Sequence, residues 1–317
     1  MLKKISSLKL LGILIALVLI YLASNYFSRG SRSESLRSEL VTIDTSQISK
    51  ILISSPNENL ELHRIDSSWV LKLENGKEVP ALRDKVTNTL SSLLSIQPER
   101  MVTRDQAKWK DYQVDSTGTR IQVFENDLNT LDLVVGRFGM AGQRQFYSFV
   151  RLSEDTEVYT ADNFMGLSGG NQSSSYRNQD IIKTEPDSII AIQFSYPADS
   201  SFQLSRYDSS WLVNQTIQTD SAAVASYLLD LRSVTSKQFA DHVDPSTLNN
   251  ELFKLRIDSK SELPLTVKAF KGLGADQLFY QSSLNTSYFQ DTTLLDQLFK
   301  GVGHFKTGGN TLSGQTP

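Results

Sequence analysis

Arg64-Ile65-Asp66-Ser67-Ser68-Trp69 returns as Arg206-Tyr207-Asp208-Ser209-Ser210-Trp211, 142 positions on. The likeness extends outward from this hexapeptide. Upstream, Ile48-Ser-Lys-Ile-Leu-Ile-Ser-Ser-Pro56 aligns with Ile189-Ile-Ala-Ile-Gln-Phe-Ser-Tyr-Pro197. Leu60 and Leu62 fall on Phe202 and Leu204 after a one-residue adjustment. Downstream, Val86, Leu90 and Leu93 match Val224, Leu228 and Leu231. Residue types that recur at one spacing imply a shared fold, and a period this long implies two domain-sized units.

Within each copy, alternation marks strands. Leu60/Leu62, Trp69/Leu71/Leu73, Ile121/Val123, Leu131/Leu133/Val135 and Tyr147/Phe149 alternate with polar residues in the first copy. Phe202/Leu204, Leu265/Val267/Ala269 and Leu278/Tyr280 do so in the second. Asn75-Gly76 suits the positive φ angles of a tight hairpin turn. One helix interrupts the strands of each copy. Val86, Leu90, Leu93 and Leu94 share a helical face, as do Val224, Leu228 and Leu231 behind Asp220, a suitable N-cap. A further helix is expected at 292–299. The pattern predicts an α+β fold of two tandem homologous domains, mainly antiparallel sheet with one or two helices each, over 40–182 and 183–305. Trp69 and Trp211 are the expected core anchors of the two copies.

The N-terminus carries a different signal. Lys3, Lys4 and Lys9 precede an uncharged stretch from Leu10 to Ser28. As a helix its 19 residues rise about 28 Å, enough for a bilayer core. The lysines place the N-terminus in the cytoplasm and the bulk of the chain beyond the cytoplasmic (inner) membrane, in the periplasm. Tyr21 and Leu22 spoil a small-x-small cleavage pattern, so residues 1–28 read as a retained, single-pass signal anchor. Residues 29–39 read as a polar linker, and 306–317 as a disordered tail with too little apolar surface to fold. The chain has no cysteine, which excludes disulfides and thiolate metal sites. Three of its 32 basic residues lie in the anchor, leaving 29 against 35 acidic residues and a net charge of −6. That balance argues against nucleic acid as a partner.

No constellation points to a reaction. Gly166-Leu-Ser168-Gly-Gly170 fits the Gly-x-Ser-x-Gly pattern of serine hydrolases, but its flanks read as a loop, not the strand–turn–helix that activates the serine. Asp241-His242-Val-Asp244 matches no closed zinc spacing, and His63 and His304 stand apart from it. Gly136-Arg-Phe-Gly139-Met-Ala-Gly142 lacks the Lys-Ser/Thr ending of a phosphate loop and reads as a hairpin connection. Asp66 and Asp208 read as turn residues. No catalytic, cofactor or metal residue is expected.

The order of the pieces resembles a known family. Ser68-Trp69-Val70, then Pro80-Ala81 opening the Val86 helix, then Tyr112-Gln-Val-Asp115, Val134-Val-Gly136, Tyr147-Ser-Phe-Val150, Val158-Tyr159 and Tyr176-Arg-Asn-Gln-Asp-Ile-Ile182 are similar to the bacterial family called domain of unknown function 4340. Where that family usually has tyrosine-glycine-leucine, this chain has Tyr112-Gln113-Val114. The resemblance implies a protein anchored by one N-terminal helix, accessory to a gliding-motility-type ABC transporter. It offers no catalytic residues. The expected function is therefore a non-enzymatic, membrane-anchored scaffold or binding subunit of an envelope complex, with other envelope proteins or ABC transporter subunits as partners. Two rival expectations are an envelope serine hydrolase using Ser168, and a polysaccharide-binding adhesin stacking sugars on aromatics such as Tyr176 or Tyr288.

Overall fold

The computed structural model of the chain describes residues 39–307, apart from 143–144, 167–171, 209, 261–262 and 273–276. The expected anchor, almost all of the linker and the tail after Thr307 lie outside the described residues. Among those described, no helix is long and apolar enough to cross a membrane. The chain divides into two compact units after Tyr176.

The first unit begins with a meander, β1 (Ile48–Ser54), β2 (Asn59–Ile65), β3 (Ser68–Lys72) and β4 (Glu78–Pro80). Helix α1 (Arg83–Leu94) then carries the chain to β5 (Pro98–Thr103). A short helix α2 (Trp109–Tyr112) follows, and β6 (Thr119–Glu125), β7 (Leu128–Ala141), β8 (Gln145–Leu152) and β9 (Val158–Asp162) complete one sheet in the order β4-β3-β2-β1-β6-β7-β8-β9-β5. In the second unit β10 (Asp180–Lys183) precedes β11 (Ile189–Ser195), β12 (Phe202–Tyr207), β13 (Ser210–Val213) and β14 (Ile217–Gln218). Then come α3 (Ser221–Asp230), β15 (Ser233–Thr235), β16 (Asn250–Ser259), β17 (Leu265–Lys271), β18 (Leu278–Ser282), β19 (Tyr288–Phe289) and α4 (Thr293–Leu298). This sheet runs β14-β13-β12-β11-β16-β17-β18-β19, the same connectivity as the first eight strands of its counterpart. All strand pairs are antiparallel. The second unit's counterpart of β5 is reduced to a single bridge, Phe239 with Phe289, because β15 peels away to pair with β10.

The likeness extends to single hydrogen bonds. Ile51 pairs with Leu62 and Val123, and Ile192 pairs with Leu204 and Ile257. Each central strand carries one register shift, between Ile48 and Lys50 in β1 and between Ile189 and Ala191 in β11. The extra residue, Ser49 or Ile190, lets Ile48 and Ile51, or Ile189 and Ile192, face the same core despite a spacing of three. Arg64 Nη1 donates to the Ser46 carbonyl at 2.9 Å, and Arg206 Nη1 to the Asp187 carbonyl at 3.0 Å. Asp66 (φ 53°) and Asp208 (φ 49°) turn the following hairpins through left-handed backbone, which Asp tolerates better than most residues.

Each helix packs its apolar face on the sheet. Val86, Leu90 and Leu93 are buried from α1, and Val224, Tyr227 and Leu228 from α3. Asp220 caps α3, accepting from Ala222 N at 2.8 Å and Ala223 N at 3.2 Å. Leu82 occupies the N-cap of α1 without a side-chain cap, and its N–H donates to the Tyr176 carbonyl at 2.7 Å. The Asp220 N–H likewise donates to the Phe305 carbonyl at 2.9 Å. Both acceptors end a four-residue 3-10 turn, Ser173–Tyr176 or Val302–Phe305, and both rings are fully buried. Each unit thus closes on an aromatic residue seated at the start of its own helix. Beneath Tyr176, Thr89 Oγ1 lies 2.9 Å from the tyrosine hydroxyl. The matching position in α3 is Tyr227, whose hydroxyl donates to the Leu298 carbonyl at 2.5 Å.

Several expectations change in detail. The division falls after Tyr176, not after Ile182, because β10 is bonded to β15. Pro80 lies in β4 and the helix starts at Arg83. Leu94 is 44% exposed, and Thr89 takes the buried place on that face. Asn75-Gly76 does not form a two-residue turn. Leu73 N–H bonds to the Lys77 carbonyl around a three-residue loop with only Gly76 left-handed (φ 79°). Gly136 and Gly139 sit inside β7, and only Gly142 lies at the hairpin beyond it. A Cβ on Gly136 would stand 2.2 Å from the Tyr112 carbonyl oxygen, so α2 can lie against the strand only over a glycine. Trp69 is buried at 8% exposure, whereas Trp211 is only partly buried against its core.

Two stability measurements test these readings. Trp69→Ala should cost about 3–5 kcal/mol in urea unfolding, and Trp211→Ala about 1–3 kcal/mol because its ring keeps part of its solvent contact. Gln113 ends α2 in left-handed backbone (φ 54°, ψ 37°) with its side chain exposed. Gln113→Gly should therefore stabilise by about 0.5–1 kcal/mol, seen as a raised Tm.

Candidate binding groove

The second unit carries a groove of about 910 Å³. Its floor is the ribbon β10–β15, which Thr184 extends by donating its N–H to the Arg232 carbonyl at 3.2 Å. Ile181 and Ile182 anchor that ribbon with fully buried side chains. Ser282 Oγ donates to the Ile181 carbonyl at 2.6 Å, and Asn178 Nδ2 to the Leu284 carbonyl at 3.1 Å, so the ribbon is tied to the turn after β18. Leu263, Pro264 and Leu265 enter β17 along one wall, with Leu284 beside them. Leu263 is 92% exposed and Leu284 39%.

Polar groups line the rest. Lys183 Nζ stands 3.9 Å from Asp180 Oδ2. Arg232 and Glu185 also line the groove, and neither side chain has a partner among the described residues. Thr184 is 6% exposed, and its Oγ1 has no hydrogen-bond partner among the described residues. Among the described residues only one other buried side-chain atom shares that condition, Arg177 Nε. A buried hydroxyl can donate once and accept twice, so Thr184 Oγ1, shut off from solvent, has bonding capacity that no described residue uses.

The residues singled out in the sequence are dispersed. Ser168 lies outside the described residues. His63 Nε2 is 2.6 Å from Glu61 Oε1 on the face of β2. His242 stacks edge-on with Phe279 at 6.2 Å, and burial together with Lys300 holds His304 below the usual imidazole range. Asp244 accepts from Ser246 N at 2.9 Å, as a cap of the next turn. No group of three or more metal-ligating side chains converges among the described residues. Tyr176, offered as a sugar platform, is fully buried and cannot stack on a ligand; Tyr288 is half-buried against Phe270.

Two buried arginines carry no sequence signal, and both are structural. Arg151 donates from Nε and Nη2 to the Val114 carbonyl, at 3.1 and 3.0 Å, and from Nη1 to Leu152, Ser153 and Asp155 carbonyls. Its guanidinium lies 3.8 Å over the Trp109 ring, and burial pulls its pKa down. Arg177, 3% exposed, forks onto Asp241 at 2.6 and 2.8 Å, reaches Ser287 Oγ at 3.2 Å and lies 3.6 Å over Phe239. Asp241, a sequence candidate for metal binding, is therefore an ion-pair partner.

Asp241→Ala would leave the buried Arg177 cation uncompensated. It should destabilise the second unit by about 2–4 kcal/mol, whereas Asp244→Ala, at an exposed turn cap, should cost about 1 kcal/mol or less. Paired urea titrations of the two variants measure the difference.

No curated protein and no solved structure matches the chain. A family described as "Domain of unknown function (DUF4340)" matches residues 69–251, from β3 of the first unit into β16 of the second. That match covers more than half of the chain and includes the tryptophan-led strand, the helix and the Tyr176–Ile182 segment; the protein belongs to the DUF4340 family.

Proposed function

We propose that this protein is a non-enzymatic scaffold or binding subunit of an envelope complex, held to the inner membrane by residues 1–28 and lying otherwise outside the cytoplasm. We further propose that its two units are homologous repeats, and that the complex it serves contains an ABC transporter. The observation that carries the binding reading is the groove beside β10, where exposed leucines stand beside side chains of both charges on a sheet scaffold. Groups that could suggest chemistry elsewhere are engaged in the fold: Asp241 by Arg177, Asp291 by Ser236 and Thr293, and His63 by Glu61. The lysine-flanked apolar N-terminus supports the anchor. A single anchor also supports a protein partner, because tethering raises the effective concentration of two membrane proteins for each other.

Fractionation with protease protection tests the anchor: the full-length chain should stay with membranes and be digested only from the extracytoplasmic side. Affinity purification from gently solubilised membranes tests the partner. Transporter subunits should copurify. A mature chain that washes off the membrane, or a full-length chain recovered alone whose 40–305 fragment binds glycans, overturns the reading.

A further inference from the structure

A second cavity of the second unit lies at the β19 edge of its sheet, lined from β18, α4 and the segment around Phe239. It measures about 520 Å³, a size that holds a small ligand. Tyr280 lines it, is 1% exposed, and has no hydrogen-bond partner for its hydroxyl among the described residues. Tyr280 Oη is not one of the unbonded atoms shut off from solvent, which are Arg177 Nε and Thr184 Oγ1. Its free end therefore opens on the cavity. Burial, with Asp291 and Asp296 nearby, pushes its pKa up to about 12, so it is a neutral donor. The first unit shows that the fold does not need this hydroxyl. Tyr280 pairs with Ala269 and Phe289 as Val150 pairs with Val135 and Tyr159. Val150 is fully buried, so the position accepts an aliphatic side chain. A local choice that brings the packing no gain marks a functional position.

We propose that this cavity binds a neutral saccharide unit, with Tyr280 Oη donating to one sugar hydroxyl and glutamine amides meeting its neighbours. None of the lining residues is charged, so an ionic ligand finds no counter-ion in contact. Gln290 Nε2 donates to Gln277 Oε1, which leaves the Gln277 NH2 group and the Gln290 carbonyl to face the ligand. A donor and an acceptor side by side suit adjacent sugar hydroxyls, each of which both accepts and donates. The side chains of Gln238 and Thr292 add two more polar groups without partners among the described residues. Phe239, Leu278 and Leu295 supply an apolar surface for the C–H face of a sugar ring. An extended peptide has no strand edge to join here. Ala240 N–H donates to the Tyr288 carbonyl and Gln290 N–H to the Gln238 carbonyl, both at 2.8 Å, so the outer edge of β19 is already paired.

The proposal goes beyond the scaffold reading and does not depend on it. Its test uses the full chain in an amine-oxide detergent, which has no sugar headgroup, on an immobilised array of neutral and acidic oligosaccharides. Neutral oligosaccharides should be retained. Affinity for a retained one should fall about fivefold or more on Tyr280→Phe, the loss of one hydrogen bond, and about threefold on Gln238→Ala. Tyr280→Phe should melt no lower than the native chain. Retention of no neutral oligosaccharide, full affinity in either variant, or a lowered melting point for Tyr280→Phe each overturns the proposal. The two readings fail separately. If transporter subunits copurify and no neutral oligosaccharide binds, the scaffold role stands and the saccharide site falls. If binding depends on Tyr280 but the chain is recovered alone, the saccharide site stands and the scaffold role falls.

Discussion

Both sheets depend on one non-local pairing, that of the first meander strand with a strand some seventy positions later. Ile51 with Val123 and Ile53 with Ile121 join two halves of the first sheet that otherwise share no hydrogen-bonded edge; Ile192 with Ile257 and Phe194 with Leu255 do the same in the second. A central strand drawn from the start of the sequence needs partners on both sides. It therefore forces the helix to cross the sheet to its far edge and the remaining strands to fill the gap. The bulge at Ser49 or Ile190 sets which side of that strand faces the helix. A one-residue slip there would turn the isoleucines to solvent.

The two cores reach similar closure with different side chains. Ile53, Leu60 and Thr89 in the first unit stand where Phe194, Phe202 and Tyr227 stand in the second. Phe194 and Phe202 stack at 4.4 Å, and Tyr227 and Phe305 pack edge-on at 5.2 Å. The aliphatic core leaves room above Thr89, and Tyr176 fills it. The aromatic core is already full, so its closing residue is the smaller Phe305, without a hydroxyl to satisfy. Burial pushes the Tyr227 hydroxyl well above its ordinary pKa, and that of Tyr280 up to about 12, which keeps both neutral and able to donate.

What was legible in the sequence was what repeats along the chain. Alternation at Leu60/Leu62 and Trp69/Leu71, the helical spacing of Val86, Leu90 and Leu93, and the cap at Asp220 are local patterns, and each forms the element it implied. What was hidden depends on partners far away. Thr89 reads as a surface residue until Tyr176 is seated on it. Arg151 and Arg177 read as solvated charges until carbonyls or Asp241 enclose them. The glycines of β7 read as a loop because nothing local announces that α2 lies against them. The groove draws on segments near positions 180, 232, 264 and 284, none of which carries a motif.

The closing aromatics have a kinetic consequence. Tyr176 and Phe305 come late in their units, yet each completes the hydrogen bonding at the start of the helix and seals the core below it. During synthesis the chain emerges from its N-terminus, so neither helix can be locked until almost the whole of its unit has appeared. The first unit finishes before β16, the counterpart of β6, leaves the ribosome. Vectorial emergence therefore protects β1 from pairing with the wrong repeat. A chain released from denaturant has no such protection, since two central strands of matching register and bulge compete at once for two matching partners.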